Sequence, residues 1–400
     1  MNSIHAALEI GTTRTVLAIG ETGDGGRPKV TCHAEIPSTG VRKSQILDIR
    51  QSTQSIHSVL QQIERKQSET GSKVVIGNAF LVLNGQHIKA TAAKGIAQID
   101  DKVGEEEIHE ALRSSRSIPI PKNRELLDII DQDYVIDGRC CTTTPKGMSG
   151  RLLELNTLQI TADSDSVRDA RTAADAAHLE IREPLFAATC AAEAVLEDYE
   201  RKNGALVLDL GGGSTGYAVY SDGYPVSTGV VGVGGDHITN DIAHAFQTTN
   251  AQAEGLKTLV ASATVSAARG ESARVRVEQG ENTLLDNRTI SRAALDTVVN
   301  ARLMELFTVI RETLEEQDLF HRLHSGVVLT GGGARMRNIE ALAEQTLGTS
   351  VRIGRPIHVD GLEDEEFPAG YASIAGALLY AHRNYEEKSI LDGLFGRFFK

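Results

Sequence analysis

Long apolar runs are missing from this 400-residue chain. No window approaches the ~20 consecutive apolar residues of a spanning helix, and the start, Met1-Asn2-Ser3-Ile4-His5, has neither the basic stretch nor the apolar core of a leader. A protein that is neither exported nor embedded in a bilayer is expected. Cysteine is scarce: Cys32, Cys140, Cys141 and Cys190 show no metal-ligand spacing, and the adjacent pair Cys140-Cys141 disfavours a disulfide. Reduced thiols in a reducing compartment follow. Positive charge is in deficit, with 41 Lys and Arg against 54 Asp and Glu and a formal net charge of −13. No basic patch is interleaved with aromatics, so no nucleic-acid partner is expected. Two phosphate-binding strings are also lacking: no G-x-x-x-x-G-K-[ST] occurs, and no G-x-G-x-x-G opens a helix after the first strand.

What is present is an acidic residue followed by a glycine turn, occurring twice. Ala7-Leu8-Glu9-Ile10-Gly11-Thr12-Thr13 runs into Thr15–Ile19, and Val207-Leu208-Asp209-Leu210-Gly211-Gly212-Gly213-Ser214-Thr215 runs into Tyr217–Tyr220. A third turn, Thr330-Gly331-Gly332-Gly333, follows another strand and precedes a helical stretch from Ile339 to Leu347. Glycines admit close backbone approach, so such turns can aim consecutive N–H groups and Thr or Ser hydroxyls at phosphate oxygens. Asp209, at a strand end, suits a hydrated Mg²⁺, which takes one or two carboxylates and keeps several waters. Any one of these strings alone is equally a plain hairpin turn. The three in this order point to one nucleotide between two related lobes.

The chain is 40% hydrophobic, enough for substantial cores, and its length suggests two or three folding units. Strands near Ala6–Glu9, Thr15–Glu21 and Val30–Ile36 read as a meander. A helix over Ile49 to Ser68 and a strand over Val74 to Leu83 follow. Residues 84–160 carry their own glycine, proline and charge punctuation and read as an inserted subdomain. Helices are expected from Ser164 to His178 and, Ala-rich, from Leu185 to Glu200. The expected first-lobe core is 1–83 with 161–203. The second-lobe core is 204–235 with 325–380, and its subdomain is 236–324. A linker, 381–388, leads to an amphipathic helix at 389–400.

The order of two phosphate hairpins and a Thr-Gly-Gly-Gly turn resembles the actin-like ATPase superfamily. Two further segments match it. Gly232-Val233-Gly234-Gly235-Asp236-His237-Ile238-Thr239 resembles a glycine turn and helix start, with Asp236 or Thr239 as N-cap. Ala253-Glu254-Gly255-Leu256-Lys257 resembles the helix whose Glu and Lys contact the nucleoside; read without the resemblance, Glu254 and Lys257 are an ordinary solvated pair. The strings Leu83-Asn84-Gly85-Gln86-His87-Ile88, Gln132–Asp137 and Gly147–Leu152 resemble the FtsA family of cell-division proteins over nearly the whole chain.

That resemblance implies an α/β fold: an actin-like, two-lobed ATPase architecture with an FtsA-type insertion and a C-terminal amphipathic helix. It implies ATP and Mg²⁺ as cofactors, assembly of the chain with itself into filaments, and recruitment of later divisome proteins. It further implies that the FtsZ C-terminal peptide docks on the second-lobe subdomain near Arg288, Arg302 and Glu305, whose other reading is a solvated helix face. Superfamily members place a water-positioning Glu at the start of the Ala-rich helix. Here that place falls near Ala187, with Glu183 four residues earlier, so slow hydrolysis is expected.

At the end of the chain, Ile390, Leu391, Leu394, Phe395, Phe398 and Phe399 form one stripe of a helical wheel, with cationic Arg397 and Lys400 beside it. The stripe suits an in-plane membrane anchor; a helix packed on its own domain has the same periodicity. The resemblance implies that such an anchor lies at the cytoplasmic membrane face of the division septum. The other readings weighed are a PilM-type pilus-assembly protein and a small-molecule kinase of the same superfamily. A DnaK-type chaperone is disfavoured because the chain ends where a substrate-binding domain would begin.

Overall fold

The computed structural model describes residues 3–22, 26–71, 74–141, 144–265, 267, 270–277 and 288–395, with their side chains except those of residues 140, 141, 271, 272 and 385–395. The first lobe grows from an antiparallel meander of β1 (Ile4–Ile10), β2 (Arg14–Thr22) and β3 (Pro28–Pro37). The unbroken apolar runs Ala6–Leu8 and Val16–Ile19 are buried throughout, as strands covered on both faces require. A tight hairpin of β4 (Val41–Arg42) and β5 (Gln45–Ile46) follows. It leads to α1 (Ile49–Thr70), capped by Asp48, whose side chain accepts from Gln51 N, and stopped at Gly71 with φ 74°. Strand β6 (Asn78–Leu83) joins β1 in parallel, and residues 74–77, expected within it, lie outside.

The inserted unit comprises β7 (Ile88–Gln98), α2 (Glu105–Arg116), β8 (Arg124–Ile136), β9 (Arg139–Cys141) and β10 (Leu152–Asp163). Its sheet has the order β7-β10-β8-β9. The chain returns through α3 (Ser164–Ala176) to β11 (Glu180–Phe186), which pairs β6 in parallel. The Ala-rich helix is shorter than expected. Leu185 and Phe186 belong to β11, α4 spans Ala187–Val195, and the extended backbone of Leu196 separates it from α5 (Asp198–Asn203). A short apolar run suits a strand or a helix equally, and here pairing of Leu185 with Val82 decides it.

The second lobe repeats the plan. Strands β12 (Ala205–Leu210), β13 (Thr215–Ser221) and β14 (Tyr224–Val231) form its meander. Helices α6 (Gly235–Phe246) and α7 (Asn250–Gly255) follow, the latter running into a π-helical turn over Leu256–Val260. The two-stranded pair β15 (Arg274–Arg276) and β16 (Thr289–Ser291) precedes α8 (Arg292–Glu316). Then come β17 (Val327–Thr330), α9 (Ile339–Leu347), β18 (Val351–Ile353) and α10 (Ala372–Phe395). The two main sheets have matching orders, β3-β2-β1-β6-β11 and β14-β13-β12-β17-β18. Glu9 near the end of β1 and Asp209 near the end of β12 therefore occupy equivalent places.

Helices α4 and α10 join the lobes in one core that includes Ala7 and Val16 from the first sheet and Val207 and Ala218 from the second. Small side chains make this possible: a Cβ on Gly376 would collide with the Cys190 carbonyl. The segment 381–388, expected as a linker, carries the helical backbone of α10. It contains no Gly or Pro, and its Arg, Glu and Lys are good helix formers. The expected separate helix over 389–400 is therefore a continuation of α10 as far as Phe395, and residues 396–400 lie outside the described residues. Among the described residues, no helix is long and apolar enough to cross a membrane.

Candidate functional site

The two acid-bearing strand ends and the three glycine turns converge at one place. Gly11 N donates to Arg14 O at 3.0 Å and Gly211 N to Ser214 O at 3.1 Å, so the two equivalent turns close in the same way. They touch each other: a Cβ on Gly212 would lie 2.6 Å from Thr13 Cγ2, and one on Gly213 would lie 2.4 Å from Thr12 Oγ1. The Thr12, Thr13, Gly212 and Gly213 amides donate to no protein acceptor among the described residues. Gly331, at φ 79°, abuts the second turn so closely that a Cβ would meet Asp209 Oδ1; a Cβ on Gly333 would press on Leu210. Gly332 has open space at that point.

Burial dominates the electrostatics. It raises the Glu9 carboxyl above the usual carboxylate range, against Arg14 and the hydroxyl of Ser373, which donates to Glu9 Oε2 at 2.8 Å. Burial and then the charge of Glu9 push Asp209 up to about 7. Two desolvated carboxylates side by side form a site that a divalent cation suits, because its charge offsets both the burial and the mutual repulsion. Arg14 is not free to do so: it donates to Glu35 Oε2 at 2.5 Å and to the Gly370 carbonyl.

Behind the second turn, α6 docks by its N-terminus. Gly235 N donates to Gly211 O at 3.0 Å and Asp236 N to Gly212 O at 2.8 Å. Gly234 and Gly235 thus brace the turn, and a Cβ on Gly234 would strike the Gly211 and Gly212 carbonyls. Neither Asp236 nor Thr239 is the N-cap. That position is Gly234, whose N–H donates to His237 Nδ1 at 3.2 Å. Lys257 reaches back from the π-helical turn, donating to Glu254 Oε2 at 2.7 Å and to Gly235 O at 3.2 Å. Ser214 and Thr215 are buried, Thr215 donating to Val233 O at 2.8 Å.

Arg302, expected on a partner surface, lines a pocket with Gly211, Gly234, Gly235 and Gly333. Its fork is occupied by Asp241 at 2.6 and 3.0 Å, and its remaining arm donates to Glu305 at 2.6 Å. Arg288 donates to Phe246 O at 2.9 Å. Ala187 is fully buried at the head of α4, and Glu183 lies in β11; burial pushes the Asp128 carboxyl up to about 6, with the charge of Glu183 a lesser contribution. Of the tail residues, Ile390, Leu391, Leu394 and Phe395 have only their backbone described, and Arg397, Phe398, Phe399 and Lys400 lie outside the described residues.

A family model described as "Cell division protein FtsA" matches residues 206–376, and one described as "SHS2 domain inserted in FTSA" matches residues 85–161. The Cell division protein FtsA of Pseudomonas aeruginosa is 32% identical over 375 residues, covering 93% of this chain and 88% of that protein. The chain belongs to the FtsA family of cell-division proteins. An FtsA from Escherichia coli is 29% identical over 389 residues, covering 94% of this chain and 90% of its own length. Among solved structures, a PilM-PilN type IV pilus biogenesis complex superposes with a TM-score of 0.65 at 20% identity, covering 94% of this chain and 98% of its own. MreB5 of Spiroplasma citri bound to ADP gives 0.55 at 14%, covering 98% of each chain. The fold is the actin-like one.

In this FtsA-family chain the structure also brings to the site residues that the sequence does not single out as site residues. Asn84, which follows β6, donates through Nδ2 to Asp209 Oδ2 at 3.4 Å. His87 packs its ring against Gly85 and is buried with both ring nitrogens unpartnered, which lowers its pKa. Ser44, at the tip of the β4–β5 hairpin, donates its N–H to Thr12 Oγ1 at 2.8 Å, and its hydroxyl lies 3.1 Å from Ser214 Oγ. A two-residue strand has no measurable period, so nothing in the sequence pattern exposes this hairpin.

Proposed function

We propose that this FtsA-family chain binds ATP with Mg²⁺ between its lobes, polymerises on the cytoplasmic membrane face, and tethers FtsZ filaments there at the division site while recruiting later divisome proteins. The contact between Thr12–Thr13 and Gly212–Gly213 carries the nucleotide part: glycine is required where the turns meet, and their amides are unspent on protein acceptors. Solved MreB5 structures of the same fold hold ADP and AMPPNP. In this chain Gly11, Thr12, Thr13 and Gly211–Thr215 would bind phosphate, and Asp209, through water, the cation. Glu254, Lys257 and Gly331–Gly333 would border the nucleoside. When bound, Mg²⁺ supplies charge neutralisation at the phosphate oxygens. Ala187 offers no group to polarise water, so turnover is slow.

The remaining parts rest on family membership and on the terminal stripe. The FtsZ C-terminal peptide is proposed to dock on the second-lobe subdomain, with Glu305 exposed on α8 and Arg302 holding it in place. One tail is a marginal anchor, because folding it costs roughly 1–2 kcal/mol per residue and Gly393 and Gly396 each cost about 1 kcal/mol of helix stability. A filament presents many tails at once and binds by effective concentration. Co-sedimentation with anionic liposomes tests the whole: ATP should raise the bound fraction and FtsZ should follow this protein onto the vesicles. Binding indifferent to ATP, or FtsZ left in the supernatant, would overturn the reading.

A further inference from the structure

The β4–β5 hairpin belongs to the first lobe but ends on the second. Its base is fixed, with Leu47 N and Asp48 N both donating to Gly40 O, at 2.8 and 3.1 Å. Gly40 is at φ 74°, and a Cβ there would lie 2.5 Å from Asp48 O. Its tip is a tight turn with both central residues in the left-handed region, Lys43 at φ 50° and Ser44 at φ 60°. That tip crosses to the opposite glycine turn: a Cβ on Gly213 would sit 2.8 Å from Lys43 Cα and 3.0 Å from Ser44 N. Ser44 holds Thr12 on one side and reaches Ser214 on the other.

Charge points the same way. Around the turns lie Glu9, Asp209, Asp236 and Glu254, whereas the neighbouring cations are engaged: Lys257 with Glu254, Arg14 with Glu35, Arg302 with Asp241 and Glu305. Lys43 is exposed and makes no ion pair or hydrogen bond among the described residues. It is a cation held against the turn by its backbone, with a side chain long enough to reach beyond it.

We propose that the hairpin senses the terminal phosphate of the bound nucleotide, Lys43 taking its charge and Ser44 exchanging its contact with Ser214 for one with a phosphate oxygen. This deepens the nucleotide-binding reading above and rests on it. Because the hairpin is rooted in one lobe and the second turn in the other, such a contact would clamp the lobes only while a third phosphate is present.

Affinities of the intact chain for Mg²⁺–ATP and Mg²⁺–ADP, measured by titration calorimetry for the parent, Lys43→Ala and Lys43→Arg, test this. Lys43→Ala should weaken ATP about ten- to hundredfold and leave ADP within about twofold, and Lys43→Arg should recover most of the loss. Amide hydrogen exchange over residues 41–46 of the parent should slow with ATP and not with ADP. Equal losses for the two nucleotides would make the hairpin a mere cleft closure and overturn the proposal, as would unchanged ATP affinity. A parent that binds neither nucleotide would instead overturn the underlying nucleotide reading.

Discussion

Asn84 Nδ2 donates to Asp209 Oδ2 across the cleft at 3.4 Å. Asn84 follows β6 at the root of the inserted unit, and Asp209 is the acid of the second lobe, so this bond ties the insertion to the place proposed for the cation. Gln86, two residues on, lies where a Cβ on Gly232 would collide with its amide, and Gln132 of β8 donates to Pro225 O of β14 at 2.8 Å. The insertion therefore leans on the second lobe at three points.

Removing Asp209 should cost nucleotide affinity. Asp209→Ala takes away the carboxylate proposed to anchor Mg²⁺, and Gly212→Val drives a side chain into Thr13. Isothermal titration should show both weakening Mg²⁺–ATP at least about tenfold, a loss of ~1.4 kcal/mol. Exposed Glu64→Ala on α1 should change nothing.

The same carboxylate makes ligand-free stability depend on pH. Burial, then Glu9, raises Asp209 from its ordinary 3.8 to about 7. A group that holds its proton more tightly when folded favours the fold at about pH 4 and below. That contribution is lost as pH rises towards 7. Against Asp209→Asn, the parent should lose up to about 4 kcal/mol over that window, with Glu9 acting in the same direction. Thermal melts of the two proteins at matched pH decide it, and parallel curves would refute the assignment.

Hydrolysis should be slow and indifferent to Glu183. Its position in β11, beside Asp128, puts it in the strand preceding the helix start rather than at it. Phosphate release should fall far below the ~10 s⁻¹ typical of enzymes, and Glu183→Gln should alter it less than about twofold. Rapid turnover abolished by that substitution would make Glu183, and not the empty place at Ala187, the water-positioning position.

Phe395→Glu puts a charge in the middle of the terminal stripe. If the stripe enters a lipid interface, vesicle flotation should vanish while the melting temperature and ATP affinity stay put. A helix packed on its own domain would instead be destabilised by a few kcal/mol, with flotation unchanged from the parent.

Sequence and structure agree where a signal is local and strong. The meander β1–β3, the α9 span and the glycine turns follow from alternation, apolar runs and punctuation alone. Agreement fails where long-range pairing decides, as for Leu185 and Phe186, which a parallel neighbour holds in a strand. It fails again at Lys43 and Ser44, because a two-residue arm leaves no period, and at Asn84, whose partner lies 125 positions away. Arg302 reads as a partner-surface or solvated residue because Asp241, which occupies its fork, lies 61 positions away on another helix.

Helix α10 has a mechanical consequence. Its first turn is pinned at the cleft, where Ser373 donates to Glu9, and further along Arg383 donates to Glu193 of α4 at 2.6 Å. From Ser373 to Phe395 the backbone is one uninterrupted rod, about 33 Å long at the usual helical rise. Held at the cleft by Ser373, packed into the core the lobes share and tied to α4 by Arg383, the helix couples these places as one body, so a shift beside the buried acids is passed to the packing between the lobes.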